Sequence, residues 1–190
     1  MLFKNIIYNI LLKILEVPEK LLNIYTTPAQ ALQINAIIKE YIPYESVITD
    51  ATACIGGNTT YFEKDFKVVI AVEKDPDIFK ILKANTTKSV TYNCSYNDIM
   101  YTIQQDLVFI DPPWGGSNYK TVDNIILFLD GVNVLDIIDN IYHFTRFVAL
   151  KVPNNFDTES ISKNFWNYKI YTINTFKKNN YKLIIFFKKI

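Results

Sequence analysis

A double glycine lies within the segment Asp50-Ala51-Thr52-Ala53-Cys54-Ile55-Gly56-Gly57-Asn58-Thr59, between an apolar run and an expected helix. Glycine can adopt positive φ angles and lets a ligand approach the backbone closely. The first turn of the helix that follows offers unpaired N–H groups to a polar ligand. Plain connections between a strand and a helix share these features, so the segment indicates a ligand site only in combination with others.

Acidic side chains follow the next apolar run, in Glu73-Lys74-Asp75-Pro76. A carboxylate roughly 20 residues after a glycine turn can accept hydrogen bonds from the two hydroxyls of a ribose. Asp75 precedes a proline that can open a helix, so we expect it to cap that helix. This leaves Glu73 for the ribose. Asp98, after a third run, is expected either to accept a hydrogen bond from an adenine amino group or to cap a helix.

The most specific segment is Phe109-Ile110-Asp111-Pro112-Pro113-Trp114-Gly115-Gly116. Two prolines stiffen the backbone, so that the Asp111 carboxylate and several carbonyl oxygens surround one point beside the Trp114 indole. These acceptors suit an amino group on a planar ring. The oxygens hold its hydrogens and the ring stacks on the indole, while the nitrogen faces an electrophile. We interpret Asp111, Pro112 and Trp114 as catalytic residues.

Short apolar runs alternate with helical stretches after the first 45 residues, which is typical of a parallel sheet covered on both faces. The ligand of such a sheet lies beyond the carboxyl ends of its strands. We predict an α/β fold with a mostly parallel seven-stranded sheet that closes on an antiparallel hairpin, with its turn at Lys177–Asn180. The predicted strands are Ser46–Thr49, Val68–Val72, Val90–Asn93, Leu107–Ile110, Phe147–Val152, Tyr168–Phe176 and Tyr181–Phe187. The predicted helices are Ala29–Tyr41, Thr59–Phe66, Pro76–Asn85, Val122–Leu129 and Val134–Tyr142.

Residues 1–41 are predicted to form an N-terminal helical extension, and residues 42–190 the catalytic domain. Apolar residues recur at helical spacing over Met1–Val17, and two lysines interrupt them, which indicates an amphipathic helix rather than a signal peptide. Pro18 can open a second short helix through Ile24. No run of about 18 apolar residues occurs, so no membrane span is expected.

The composition excludes several classes of protein. With 190 residues, 49% hydrophobic and 15% aromatic, the chain is not disordered. Two cysteines without CxxC spacing and a single histidine argue against a zinc site or a disulfide scaffold, and suit a reducing compartment. A net charge of +1 is modest for a protein that grips a long polyanion. If nucleic acid is the substrate, we expect a single nucleotide or a short stretch.

The order of these motifs resembles the trimethylguanosine synthase family, which comprises the cap-specific guanine-N2 methyltransferases. The resemblance runs from about Tyr25 to the C-terminus and includes Thr27-Pro28 and Pro153-Asn154-Asn155. Its specific part is Gly56-Gly57-Asn58-Thr59 followed by Pro112-Pro113-Trp114-Gly115-Gly116. It implies a Rossmann-like class I methyltransferase fold and methyl transfer from S-adenosylmethionine to N2 of a 7-methylguanosine RNA cap.

The resemblance also implies roles for individual residues. No metal is expected among them, in line with the few cysteines and the single histidine. Trp114 is expected to stack on the methylated guanine. Tyr119 and the stretch 151–155, with Lys151 and Asn154, are expected to approach the cap phosphates. The residues expected to bind the cofactor are Thr27, Asp50, Ala51, Thr52, Gly56, Asn58, Thr59, Glu73, Lys74, Asp98 and Asp111.

This sequence departs from the family at three positions. Asp111 stands where cellular relatives usually carry serine, which supplies a stronger acceptor for an amino group. Cys54 replaces the first glycine of the loop and is expected to narrow it. Asn154 occupies a place where arginine is expected, which weakens one phosphate contact.

Two other functions remain open from the sequence. Asp-Pro-Pro-Trp is also the signature of adenine-N6 methyltransferases, although many of these carry it upstream of the cofactor loop, and Gly115-Gly116 favours the guanine-N2 family. The Cys54 substitution leaves room for a catalytically silent fold that serves as an RNA-binding subunit. The abundant Ile, Asn, Lys and Tyr resemble the coding bias of an A/T-rich genome, such as that of a parasite or a large DNA virus. We expect an intracellular monomer, nuclear or cytoplasmic, and in the host cytoplasm if viral.

Overall fold

The computed structural model describes residues 17–21, 25–159, 161, 165–174 and 180–189. Nearly all of the predicted helix Met1–Val17, the end of Pro18–Ile24 and most of the predicted turn Lys177–Asn180 lie outside the described residues. The chain divides into two units, Met1–Tyr96 and Asn97–Ile190. This division does not test the predicted boundary after residue 41, which stays a prediction.

Among its described residues, the first unit contains three parallel strands, a helix that precedes them and the helices that connect them. Strand β2 lies between β1 and β3 and runs parallel to both. A short 3-10 helix, Glu19–Leu21, precedes these elements. The strands are β1 Val47–Asp50, β2 Val68–Val72 and β3 Val90–Tyr92, and the helices are α1 Pro28–Lys39, α2 Thr59–Asp65 and α3 Pro76–Asn85. A four-residue helix, α4 Tyr96–Ile99, follows β3.

The second unit combines a parallel strand pair with the predicted antiparallel hairpin. Strand β4 is parallel to β7, whereas β9 is antiparallel to both β7 and β8. The main strands are β4 Leu107–Ile110, β7 Phe147–Pro153, β8 Tyr168–Asn174 and β9 Tyr181–Lys188. The smaller elements are a 3-10 helix at Gly116–Thr121, a two-stranded sheet of β5 Phe128–Leu129 and β6 Val132–Asn133, and α5 Val134–Asn140.

The order of the strands in the main sheet is β3-β2-β1-β4-β7-β9-β8. Every residue of β4 and β7 is buried, as expected of central strands that are covered on both faces. The predicted sheet of seven strands with a C-terminal antiparallel pair is confirmed.

Two prolines set the starts of α1 and α3. Thr27 caps α1 and forms a capping box with Gln30. The Asp75 side chain accepts hydrogen bonds from the backbone N–H groups of Asp77 and Ile78, which confirms its predicted role as the cap of α3. Each proline follows its cap directly, where its missing N–H costs nothing.

The predicted helix over Val122–Leu129 is wrong. Ile125, Leu127 and Leu129 are buried, while the residues between them are exposed, which is the period of an extended chain. Ile125 forms a parallel bridge with Phe156. The stretch then enters β5, and Asp130-Gly131, with φ angles of 52° and 84°, turns the chain into β6. An Asp-Gly pair with positive φ at both residues is a common hairpin turn.

Candidate active site

Asp50, at the end of β1, joins the two ends of the glycine loop. Its side chain is fully buried. Oδ2 accepts a hydrogen bond of 2.7 Å from the Thr59 hydroxyl, and Oδ1 accepts one of 3.4 Å from the Thr52 N–H. Asp50 therefore holds the loop between β1 and α2 from within.

Packing within the first unit requires glycine at Gly57, and the backbone conformation favours it at Gly56. A Cβ on Gly57 would lie 2.6 Å from the Thr26 carbonyl oxygen, which is too close. Gly56 has a φ of 91°, and a Cβ there would lie 3.2 Å from Leu82 and 3.3 Å from Thr86. The segment before α1 is thus packed directly on the loop, a contact that the sequence analysis missed.

Asn58 connects the loop to the same segment. Its Nδ2 donates to the Thr26 hydroxyl at 3.1 Å, and its buried Oδ1 has no hydrogen-bond partner among the described residues. A buried acceptor without a partner is costly unless a ligand supplies a donor. Thr27, by contrast, caps α1, so its expected cofactor contact stays a prediction.

Cys54 adopts a φ of 49°, in the left-handed region that favours glycine. The loop adopts a left-handed conformation at this position even with cysteine there, which explains why the resemblance leads us to expect glycine. The Cys54 N–H donates to the Glu73 carboxylate. Neither Cys54 nor Cys94 forms a disulfide.

Glu73 lies just past the end of β2 and is half-buried. Burial raises the pKa of its carboxyl and the charge of Asp75 adds to this, while hydrogen bonds from the N–H groups of Asp75, Cys54 and Lys74 oppose it. The bond from Asp75 N–H is 2.7 Å long. Asn93, another residue that sequence reasoning missed, donates to the carbonyl oxygens of Glu73 and Lys74 at 2.9 and 3.1 Å.

The first unit fits a nucleoside-bearing cofactor. Glu73 offers a half-buried carboxylate after a strand end, and Asn58 Oδ1 offers a buried acceptor. Ala51 is buried, Thr52 is half-buried and Lys74 is exposed, so their cofactor contacts stay predictions.

Asp98 is the third residue of the short helix α4 and is exposed. It therefore does not occupy a cap position, and the capping role considered for it is wrong. Its expected hydrogen bond to an adenine amino group stays a prediction. The neighbouring Asn97 donates to the Leu129 carbonyl at 3.0 Å, which ties this helix to β5.

In the second unit, Asp111 follows β4 and forms an ion pair with Lys151 of β7. The Lys151 Nζ lies 2.6 Å from Asp111 Oδ2, and the two side chains are 8% and 17% exposed respectively. The Nζ also lies 5.6 Å from the ring centroid of Trp114 and 5.2 Å from that of Tyr181. This position does not suit the phosphate contact expected of Lys151, because the ammonium is buried and bonded to a carboxylate.

Trp114 is half-buried beside this ion pair. Its ring meets the ring of Tyr119 edge to face, with centroids 5.2 Å apart. The indole N–H is buried and has no hydrogen-bond partner in the described part of the chain. The structure thus brings Asp111, Trp114, Tyr119 and Lys151 together within the second unit. They place one acidic, one basic and two aromatic side chains around the end of β4.

Asn155, which belongs to the stretch expected to approach the cap phosphates, holds the Tyr119 segment in place. Its Nδ2 donates to the carbonyl oxygens of Tyr119 at 2.7 Å and Val122 at 2.6 Å. Its own carbonyl accepts from the Ile125 N–H. Asn154 is exposed, and its expected phosphate contact stays a prediction.

Within the described ranges, no group of three or more His, Cys, Asp or Glu side chains is placed to hold a metal ion. A search of the same residues finds no helix with the length and apolar character of a membrane span.

The sequence model of a family described as RNA cap guanine-N2 methyltransferase matches residues 45–189. The chain belongs to this family. The resemblance predicted from the motifs is thereby confirmed, and the protein is a methyltransferase of the S-adenosylmethionine-dependent class.

A relative of this methyltransferase occurs in a giant virus. An uncharacterized protein of Acanthamoeba polyphaga mimivirus is 36% identical over 151 residues. The alignment covers 73% of this chain and 57% of the viral protein, so the chain spans little more than half the length of that relative.

Solved structures share the fold of the methyltransferase at low sequence identity. A Pyrococcus horikoshii protein described as a candidate RNA methyltransferase has a TM-score of 0.65 at 18% identity, over 92% of this chain and 91% of its own. The 16S rRNA guanine-N2 methyltransferase RsmC of T. thermophilus, in complex with S-adenosylmethionine and guanosine, has a TM-score of 0.63 at 16% identity, over 84% and 43%. TrmK of M. capricolum, bound to S-adenosylhomocysteine, has a TM-score of 0.60 at 16% identity, over 83% and 67%. These likenesses confirm the predicted Rossmann-like class I fold.

Proposed function

We propose that the protein transfers a methyl group from S-adenosylmethionine to the exocyclic N2 of the guanine in a 7-methylguanosine RNA cap. The observation that carries this proposal is the match of the cap guanine-N2 family over residues 45–189. The cluster of Asp111, Trp114 and Tyr119 supports it, because an acceptor beside an indole suits an amino group on a planar base.

The first unit is assigned to the cofactor. Glu73 would accept hydrogen bonds from the ribose hydroxyls, and Asn58 Oδ1 would accept from a polar group of the ligand. Asp50 acts indirectly, since its bonds to Thr52 and Thr59 hold the loop in shape. When bound, the cofactor supplies an activated methyl group on its sulfonium.

The second unit is assigned to the methyl acceptor. Trp114 would stack on the base, while the Asp111 carboxylate and the Pro112 carbonyl accept hydrogen bonds from the amino group. A carboxylate placed there stabilises the positive charge that develops on nitrogen during the transfer. Holding the nitrogen in line with the methyl group lowers the barrier by several kcal/mol. The proton then leaves to water, so no dedicated base is required.

The remaining assignments are also proposals. Tyr119 and Asn154 would lie near the cap phosphates, and the protein would act as a monomer, without a metal, in the host cytoplasm if its origin is viral. Size-exclusion chromatography with light scattering tests the monomer. The proposal does not extend to the activity of the viral relative, because the chain matches only 57% of its length.

Mass spectrometry of a 7-methylguanosine cap dinucleotide, incubated with the protein and S-adenosylmethionine, tests the proposed function. We expect a gain of one or two methyl groups on the 7-methylguanine base, and none with heat-denatured protein. An adenine-containing oligonucleotide is the comparison substrate. Methylation of adenine alone would replace the proposal by the adenine-N6 function.

A further inference from the structure

Lys151 is a charged residue in a buried strand whose other residues are apolar. Its side chain is 8% exposed, and β7 is buried along its whole length. An ammonium group loses much hydration free energy in such a position, and only a well-placed partner offsets that loss. Replacing a buried ion pair by apolar side chains is often neutral or stabilising, so stability alone does not explain the pair.

The register of the two strands explains how Lys151 reaches Asp111. Strands β4 and β7 are parallel, and Ile110 of β4 lies opposite Leu150 of β7. Asp111 is the first residue after β4, and Lys151 follows Leu150 within β7, so the two residues lie beside each other on neighbouring segments. The Nζ to Oδ2 distance of 2.6 Å is that of a charge-assisted hydrogen bond.

Two aromatic rings flank the ammonium group of Lys151. Its Nζ lies 5.6 Å from the Trp114 centroid and 5.2 Å from the Tyr181 centroid. Ring faces attract a cation at these distances. The ammonium is therefore held between the carboxylate and the rings, and it fixes the carboxylate in turn.

We propose that Lys151 is a positioning residue, which orients the Asp111 carboxylate toward the amino group that is methylated. This inference rests on the proposed function. Lys151 binds Oδ2 and limits the rotation of the carboxylate, so that the group presents one geometry to the acceptor nitrogen. It acts through Asp111 and makes no contact with the cap phosphates.

A double-mutant cycle tests the inference, with Lys151→Met, Asp111→Ser and the double variant. The substrates are a 7-methylguanosine cap dinucleotide and the 7-methylguanosine nucleoside, which lacks phosphates. Lys151→Met is expected to lower kcat by roughly 10- to 100-fold on both substrates, because a small misplacement of a catalytic group has effects of that size. KM for the cap should change by less than about threefold, as uniform binding is not affected.

Two further variants separate positioning from a general structural effect. Lys151→Arg keeps a charged donor and should restore most of the kcat that Lys151→Met loses. In the Asp111→Ser background, Lys151→Met should cause no further loss of kcat, since there is no carboxylate left to orient. Circular dichroism melting and S-adenosylhomocysteine titration show whether each variant is folded. If Lys151→Met does not fold, two comparisons still test the positioning role. These are the kcat of Lys151→Arg against the wild type, and the kcat of the double variant, which lacks both charges, against Asp111→Ser.

Two outcomes would overturn the role of Lys151. An increase in KM restricted to the phosphate-bearing substrate would make Lys151 a phosphate ligand. If the fold-losses of kcat in Lys151→Met and Asp111→Ser multiply in the double variant, the two residues act independently. Failure of the proposed function looks different, because the wild type would then not methylate the cap at all.

Discussion

Glu73 and Asp75 are separated by one residue after β2, yet their carboxylates have different partners. Asp75 caps α3, and Glu73 accepts hydrogen bonds from the loop that begins after β1. The Asp75 carboxylate stabilises a helix, whereas the Glu73 carboxylate is available to a ligand. Spacing along the chain suggested both roles for this segment, and only the hydrogen bonds separate them.

Glu73→Ala is expected to weaken binding of S-adenosylhomocysteine by roughly 100-fold or more, because each of the two hydrogen bonds from ribose hydroxyls to the carboxylate contributes about 1.5–3 kcal/mol. Isothermal titration calorimetry measures the dissociation constant. Asp75→Ala is the matched control: it should lower the melting temperature through loss of the cap and leave the dissociation constant nearly unchanged. The opposite pattern would move the ribose contact to Asp75.

Trp114 is expected to make the enzyme prefer guanine that already carries its N7 methyl. The methylated base is a cation, and the indole face adds about 0.5–2 kcal/mol to its stacking. The Lys151 charge near the ring is balanced by Asp111, so it does not cancel this attraction. The wild type should favour the methylated cap by roughly tenfold in kcat/KM, and Trp114→Leu should lose most of that preference. Equal kcat/KM values for the two caps with the wild type would contradict the role of Trp114.

Cys54 makes a further residue-scale prediction, because its φ of 49° is costly for a side chain with a Cβ. Cys54→Gly should raise the free energy of unfolding by about 0.5–1 kcal/mol, since glycine adopts left-handed angles freely but loses more entropy on folding. Urea denaturation measures the change. Cys54→Ala is the control and should give no such gain, as alanine meets the same steric cost. A gain of equal size with alanine would show that the thiol, and not φ, is the cause.

At the scale of elements, Glu63 of α2 organises the connection between α3 and β3. It is buried, and its carboxylate accepts hydrogen bonds from the N–H groups of Thr87, Lys88 and Ser89 and from the Ser89 hydroxyl. Burial alone would raise the pKa of Glu63, but the bonds from Ser89, Lys88 and Thr87 outweigh it and lower the pKa.

Glu63→Gln should lower the free energy of unfolding at neutral pH by about 1–3 kcal/mol, because charge-assisted hydrogen bonds are lost and an amide nitrogen then faces donors. A depressed folded pKa means that this stability is present above the unfolded pKa and is lost as pH falls through the folded pKa. The difference between wild type and variant should therefore shrink in acid. Urea denaturation at several pH values measures it. A difference that grows in acid would contradict this account.

The control for this measurement is Glu45→Gln. Glu45 forms a single ion pair with Lys67, and its side chain is 66% exposed. Exposed pairs of this kind contribute about 0–1 kcal/mol. A loss at Glu45 as large as that at Glu63 would mean that charge, and not the buried network, accounts for the effect.

For the whole molecule, cofactor binding should be visible as a gain in thermal stability. S-adenosylhomocysteine at 100 times its dissociation constant should stabilise the folded protein by about 2.7 kcal/mol, which raises the melting temperature by roughly 5–10 °C for a chain of this size. Glu73→Ala at the same concentration should show a smaller shift. No shift with the wild type would favour a catalytically silent RNA-binding subunit.

Local sequence determined much of the architecture. The bounds of β2, α3 and β4 were predicted as the structure has them, because an apolar run of strand length, a capping side chain and a proline act within a few residues. The stretch before Asp130 was predicted wrongly as a helix, since its apolar residues fit either period. Its contact with Phe156 and the Asp-Gly turn decide for the extended form.

The motifs likewise determined the family and the segments of the candidate site, while tertiary structure alone decided the partners of individual side chains. Asp111 and Lys151 are 40 residues apart, and Asn58 lies 32 residues from Thr26. No local pattern links residues at such distances. Strand register sets the first pair, and the packing of the segment before α1 on the glycine loop sets the second. The sequence therefore predicted an acidic acceptor at Asp111, but only the neighbouring strand revealed the ammonium group that holds it.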